Sequence, residues 1–241
     1  MSINVLSIGN SFSQDAQRYI HYLAKSEGVD IQTANLYIGG CPLEKHFRNM
    51  MGDKKEYDLE INGNSTAFKM SISEALLAKS WDYITLQQAS GRSFDYDSFV
   101  PYITELAEYI REFCPKAKIL IHQTWGYETG SDKIKNFGFE TYDDMFALVK
   151  ENYAKAAKEI DADGIIPCGE VMQAAQKNGM EKVHRDTFHA GWGAGRFMLA
   201  LTWYKYITGN SIDNVKFNMF DAEVTEEEYK IAIKSVNDIV K

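Results

Sequence analysis

Cysteine is scarce in this chain. Cys41, Cys114 and Cys168 are the only three in 241 residues. They are odd in number and lack metal-ligand spacing, which argues against a disulfide framework or a zinc knuckle and leaves reduced, buried thiols. Positive charge is also short, since 26 Lys and Arg against 34 Asp and Glu give a net charge of -8. A phosphate-backbone binder needs a basic face, so no nucleic acid partner is expected. Long apolar runs are missing too. None approaches the roughly 20 residues of a membrane helix, and no membrane partner is expected. Met1 to Ile8 carries no positive n-region and its apolar run breaks at Gly9, which reads as a first strand and makes a cytoplasmic location the expectation. There is no helical His-x-x-x-His pair, and Gly191-Trp192-Gly193-Ala194-Gly195 lacks the spacing of a dinucleotide fingerprint. Neither a metal nor another cofactor is therefore expected.

What is present is an alternation. Apolar residues make up 45% of the chain, enough for one core, and one domain over residues 1–241 is the simplest reading. Short apolar runs at Ile3–Ile8, Ile31–Tyr37, Tyr83–Gln87, Lys118–His122 and Gly164–Ile166 read as strands. Helical periodicity separates them at Asp15–Glu27, Ser71–Lys79, Tyr96–Phe113 and Tyr142–Ile160, and helices follow at Arg196–Ile207 and beyond Thr225. This pattern predicts βαβ units and a parallel sheet. One segment breaks the alternation. Glu56 to Ile61 and Ser65 to Met70 flank Asn62-Gly63-Asn64, which predicts an inserted β-hairpin, either overhanging the active site or lying on the surface.

Two short stretches carry the chemistry: Ile8-Gly9-Asn10-Ser11-Phe12-Ser13, and Arg185-Asp186-Thr187-Phe188-His189. The first puts Ser11 where a strand runs out and a helix begins, a place where open α/β sheets bind ligands and where a helix N-terminus favours negative charge. The second puts a carboxylate three residues before an imidazole. A serine hydroxyl becomes nucleophilic when an imidazole takes its proton, and a carboxylate fixes that imidazole's tautomer. Ser11, His189 and Asp186 are thus the candidate catalytic residues. Ser13 reads better as a helix cap, and His184 competes with His189.

Gly9-Asn10-Ser11 after the first strand, with Asp186-x-x-His189 before the last long helices, resembles the SGNH (GDSL-like) hydrolase superfamily over nearly the whole chain. The resemblance implies a three-layer α/β/α flavodoxin-like fold with about five parallel strands. It implies a serine esterase, with lipases and carbohydrate deacetylases among the family's activities. It further implies an oxyanion hole built from the N–H of Ser11 and of Gly40, in the run Tyr37-Ile38-Gly39-Gly40-Cys41-Pro42. The family's third donor is an Asn in Gly-x-Asn-Asp after the third strand. This chain departs from that pattern and carries Gln87-Gln88-Ala89-Ser90-Gly91 instead. A glutamine amide is the same donor on a longer arm, so Gln88, or else Gln87, is expected to face the cleft.

Trp125 and Gln123, in His122-Gln123-Thr124-Trp125-Gly126-Tyr127, and His46 after Gly40 are the candidate substrate contacts, an aromatic face with polar handles suiting a sugar. The expected substrate is a small-molecule or saccharide ester with a short O-acyl group, O-acetyl being the leading case. Two alternatives stay open: an inactive carbohydrate-binding module on the same scaffold, supported by the missing Gly-x-Asn-Asp, and a metal-dependent hydrolase assembled from Asp186, His189, His184 and His122.

Overall fold

The computed structural model describes residues 2–241. It opens with β1 (Ile3–Gly9), α1 (Ser11–Gln17), α2 (Ile20–Ser26), β2 (Ile31–Tyr37) and α3 (Leu43–Met51). The hairpin β3 (Tyr57–Ile61) and β4 (Asn64–Met70) follows, then α4 (Ile72–Leu77), β5 (Tyr83–Leu86), α5 (Tyr102–Phe113) and β6 (Lys118–His122). The short α6 (Asp132–Lys135), α7 (Tyr142–Glu159), β7 (Gly164–Ile166), α8 (Cys168–Lys177), α9 (Ala194–Thr208) and α10 (Glu226–Ile239) complete the chain.

All seven strands join one sheet in the order β4-β3-β2-β1-β5-β6-β7. β2, β1, β5, β6 and β7 run parallel, the arrangement expected for a flavodoxin-like sheet. Consecutive residues Val5 to Gly9 of β1 are buried, so both faces of the central strand are covered, as helical layers on each side require. α1 and α2 pack with α9, which also carries α8 and α10, while α3, α4 and α5 form a second group. The chain crosses from β1 to β2 on one side and reaches β5 on the other. The strand order therefore reverses beside β1, and a crevice opens there at the strands' C-terminal ends.

The hairpin forms where expected. Asn62 and Gly63 turn with φ of 51° and 74°, the left-handed pair a two-residue I′ turn needs. Of the two alternatives it lies on the surface and does not overhang the crevice: β3 pairs antiparallel with β2 and extends the sheet edge, with β4 largely exposed. The single helix expected over Asp15–Glu27 is two helices, α1 and α2, interrupted around Arg18 and Tyr19. Tyr19 is held at that break, its hydroxyl donating to Trp192 O at 2.5 Å and accepting from Asp221 N at 2.7 Å. The helix expected from Tyr96 begins at Tyr102, with Pro101 at its N-cap. Proline lacks an N–H to donate and suits only a helix start.

Candidate active site

Ser11 is the first residue of α1, directly past the end of β1. The turn between them is tight. A Cβ on Gly9 would lie 2.2 Å from Ser13 Oγ, so only glycine fits there without rearrangement. Asn10 caps α1 by accepting from Phe12 N at 3.0 Å, while Ser13 Oγ accepts from Asn10 N at 3.1 Å and donates to Asn35 Oδ1 at 2.8 Å. Ser13 is fully buried in this cap. Ser11 remains half-buried and open to the crevice.

Ser11 Oγ lies 2.8 Å from His189 Nε2, and His189 Nδ1 lies 2.8 Å from Asp186 Oδ2. The neutral tautomer that donates Nδ1–H to Asp186 leaves Nε2 free to accept the serine proton. The loop bearing this pair is tied down from several directions. His189 N donates to Asp186 Oδ1 at 2.9 Å, Arg185 N donates to His189 O at 2.9 Å, and Trp125 Nε1 donates to Phe188 O at 2.7 Å. Partial burial pushes the Asp186 carboxyl up. Hydrogen bonds from the His189 ring and from the His189 and Phe188 N–H groups outweigh that and leave it below the usual carboxylate range. Asp186 is thus ionised at neutral pH, as a partner for an imidazolium must be.

Ser11 and Gly40 both line the same crevice. The Ser11 N–H sits at a helix N-terminus, and Gly40, with φ of 62°, lines the cavity in the turn after β2. Asn10 Nδ2 donates to Cys41 O at 3.1 Å, which fastens that turn to the serine turn.

The glutamines do something else. Gln87 and Gln88 are both buried and neither lines the cavity. Gln88 Oε1 accepts from Leu43 N at 3.0 Å and Ala89 N at 2.8 Å, and its Nε2 donates to Ser98 O at 2.7 Å. Gln87 Nε2 donates to Asn10 Oδ1 at 2.7 Å, while its Oε1 accepts from His122 Nδ1 at 2.8 Å. The expectation that one amide faces the cleft is therefore not met, because both are spent on buried partners. Ala89, Ser90 and Gly91 reach the cavity in their place.

The expected substrate contacts also lie outside the cavity. Trp125 is buried and stacked on Phe12 at 4.3 Å. Gln123 accepts from Glu170 N at 3.1 Å. His46 is stacked on Tyr57 with Nδ1 2.9 Å from its hydroxyl, and burial pushes its pKa down to about 3.

The histidines that the sequence allowed to gather with Asp186 are separately engaged. His122 is bonded to Gln87, and His184 Nε2 donates to Gly126 O at 3.0 Å. Burial lowers their pKa values to about 3 and about 4, a backbone hydrogen bond to Gly126 partly offsetting it for His184. No group of three or more His, Cys, Asp and Glu able to hold a metal occurs among the described residues.

The cavity itself has a volume of about 530 Å³. Sequence reasoning missed most of its wall: Tyr37, Arg92, Tyr127, Lys133, Arg185 and Phe188. Phe188 lies inside the Asp-x-x-His motif and Tyr127 two residues past Trp125, so proximity could have flagged both. Arg92 ends the short 3-10 turn Ser90–Arg92 and Lys133 lies in the short α6, and neither carries a local signal.

The family described as "Domain of unknown function (DUF4886)" matches residues 4–238. A crystal structure of a DUF4886 family protein from Bacteroides uniformis shares 32% identity and a TM-score of 0.91, covering 99% of this chain and 94% of that one. A member of the lipolytic protein G-D-S-L family from Veillonella parvula is similar in fold, with a TM-score of 0.54 at 15% identity over 86% of this chain and 99% of that one. No curated protein sequence matches. With its fold that of GDSL-like hydrolases and the family match running almost end to end, the chain belongs to the DUF4886 family.

Proposed function

We propose that the protein is a serine esterase that hydrolyses small O-acyl esters through Ser11, His189 and Asp186. The unbroken pair of 2.8 Å contacts from Ser11 Oγ through His189 to Asp186 carries this reading. Ser11 Oγ attacks the acyl carbon while His189 Nε2 takes its proton, and Asp186 stabilises the imidazolium that results. The negative charge developing on the acyl oxygen meets the N–H groups of Ser11 and Gly40, with the dipole of α1 behind it. His189 then protonates the departing alcohol. In the second half-reaction it takes a proton from water, whose oxygen attacks the acyl-enzyme and frees Ser11 and the acid.

Within about 530 Å³ a short acyl group such as acetyl leaves most of the space to the alcohol part. The half-buried ring of Tyr37 at the cavity wall suits a saccharide alcohol. A binding module without turnover would have no use for a nucleophile hydrogen-bonded to its base.

Replacing Ser11 by Ala is expected to lower ester turnover by a factor on the order of 10⁴ while the fold persists, the loss seen when a nucleophile that acts as a unit with its base is removed. A serine-directed phosphonate should add its mass to the peptide containing Ser11. Turnover surviving in the folded variant, or an adduct on another residue, would sink the assignment.

A further inference from the structure

The charge on the cavity wall runs against the charge of the whole chain. The net charge is -8, yet the charged residues lining the cavity are Arg92, Lys133 and Arg185, and no Asp or Glu is among them. Arg185 shares the buried carboxylate of Asp15 with Arg196, at 2.8 Å from each. Arg92 shares Glu44 with Arg48. Each carboxylate thus faces two guanidinium groups. Lys133 has no carboxylate within 4.0 Å among the described residues. Its Nζ sits 3.7 Å from the centre of the Phe188 ring, and that ring is 3.9 Å from the ring of His189. The aromatic face holds the ammonium in place and leaves N–H donors to spare, one ring away from the proposed base. Asp186, the carboxylate in the same loop, has both oxygens committed to His189.

We infer that the substrate taken here carries an anionic group, a carboxylate or a phosphate, which Lys133 receives while the ester lies at Ser11, with Arg92 and Arg185 adding to the positive potential. This rests on the esterase reading and narrows it to acidic esters. A neutral ester would leave an unpaired cation at the wall of the site. An acidic one would complete it and be drawn in by the local field.

The test compares three acetyl esters of matched size: acetylated glucose, acetylated glucuronate and acetylated glucose 6-phosphate. At low ionic strength the native enzyme is expected to show a kcat/KM for at least one charged ester about ten-fold above that for the neutral one, mainly through KM. The arm that responds identifies the anion. Added salt should shrink the ratio, because an open site is screened. Lys133→Met should bring it towards one, and Lys133→Arg should largely keep it. A charged-to-neutral ratio of one or less in the native enzyme, or a ratio untouched by Lys133→Met, overturns the inference while leaving the esterase standing. Binding of the same three esters to the Ser11→Ala protein, followed by calorimetry, separates the reverse case. Charge-dependent binding without any turnover by the native protein retains the anion site and overturns the esterase.

Discussion

Gln87 reaches the Ser11 turn without touching Ser11. Asn10 Oδ1 accepts from Phe12 N, so it must also accept from Gln87 Nε2, which leaves Gln87 Oε1 to accept from His122 Nδ1. The His122 proton is thereby fixed on Nδ1, and its Nε2 has no hydrogen-bond partner among the described residues. This buried line of amides ends at Cys41 O, beside Gly40. Gln87→Ala is expected to lower stability by about 1–3 kcal/mol, the cost of leaving buried partners unpaired. It should also reduce kcat more than it raises KM, since Asn10, which ties the Ser11 turn to the Gly40 turn, loses its support. Urea unfolding and steady-state ester kinetics read the two effects, and an unchanged kcat would show that the turns hold themselves. The sequence made the meeting of Ser11, Asp186 and His189 legible, because few residue types suit the chemistry proposed for them. It misled on the glutamines because β5 stops at Leu86, and past it both side chains turn onto buried partners.

At the scale of elements, the hairpin turn has the clearest local logic. Gly63 has φ of 74°, and a Cβ there would lie 2.5 Å from Arg18 O, so both backbone conformation and space demand glycine. Gly63→Ala should cost about 1–2 kcal/mol from the left-handed conformation alone, and more from the clash. A thermal melt should drop by roughly 2–4 °C per kcal/mol for a chain of this size. An unshifted melt would mean that β3 and β4 contribute nothing to the cooperative unit. All five parallel strands and the hairpin could be read from apolar runs and the Asn-Gly pair. α3 and α8 could not, because α3 is mixed in composition and α8 holds Gly169 in its first turn. That glycine is set by the tertiary structure, since a Cβ on it would lie 2.2 Å from the Phe146 ring and 2.3 Å from Thr124 O. Contacts of this kind leave no trace in local sequence.

Across the whole molecule, three buried histidines set a pH dependence. His46 and His122 are held to about 3 and His184 to about 4 by burial, against roughly 6.5 in an unfolded chain. The folded values are depressed, so the unfolded state binds more protons once the pH falls below 6.5. Stability is then full above that point and declines as the pH drops towards 4. The slope is up to about 1.4 kcal/mol per pH unit for each ring. Urea midpoints should be level from pH 8 to 7 and fall between 6.5 and 5, a window in which ordinary carboxylates remain ionised. A level midpoint down to pH 5 would mean that these rings take up protons in the folded protein.

The contact between Ser11 and His189 joins residues 178 apart in sequence, and Asp15 joins the same two regions through Arg185 and Arg196. A chain still emerging from the ribosome therefore carries Ser11 long before His189, and under the proposed mechanism it stays inert until the last third has been made and docked. Fragments that retain only the first strands have no means of bringing Ser11 and His189 together. Recovery of hydrolysis during refolding would accordingly report the final docking of the two chain ends and lag behind the burial of the sheet.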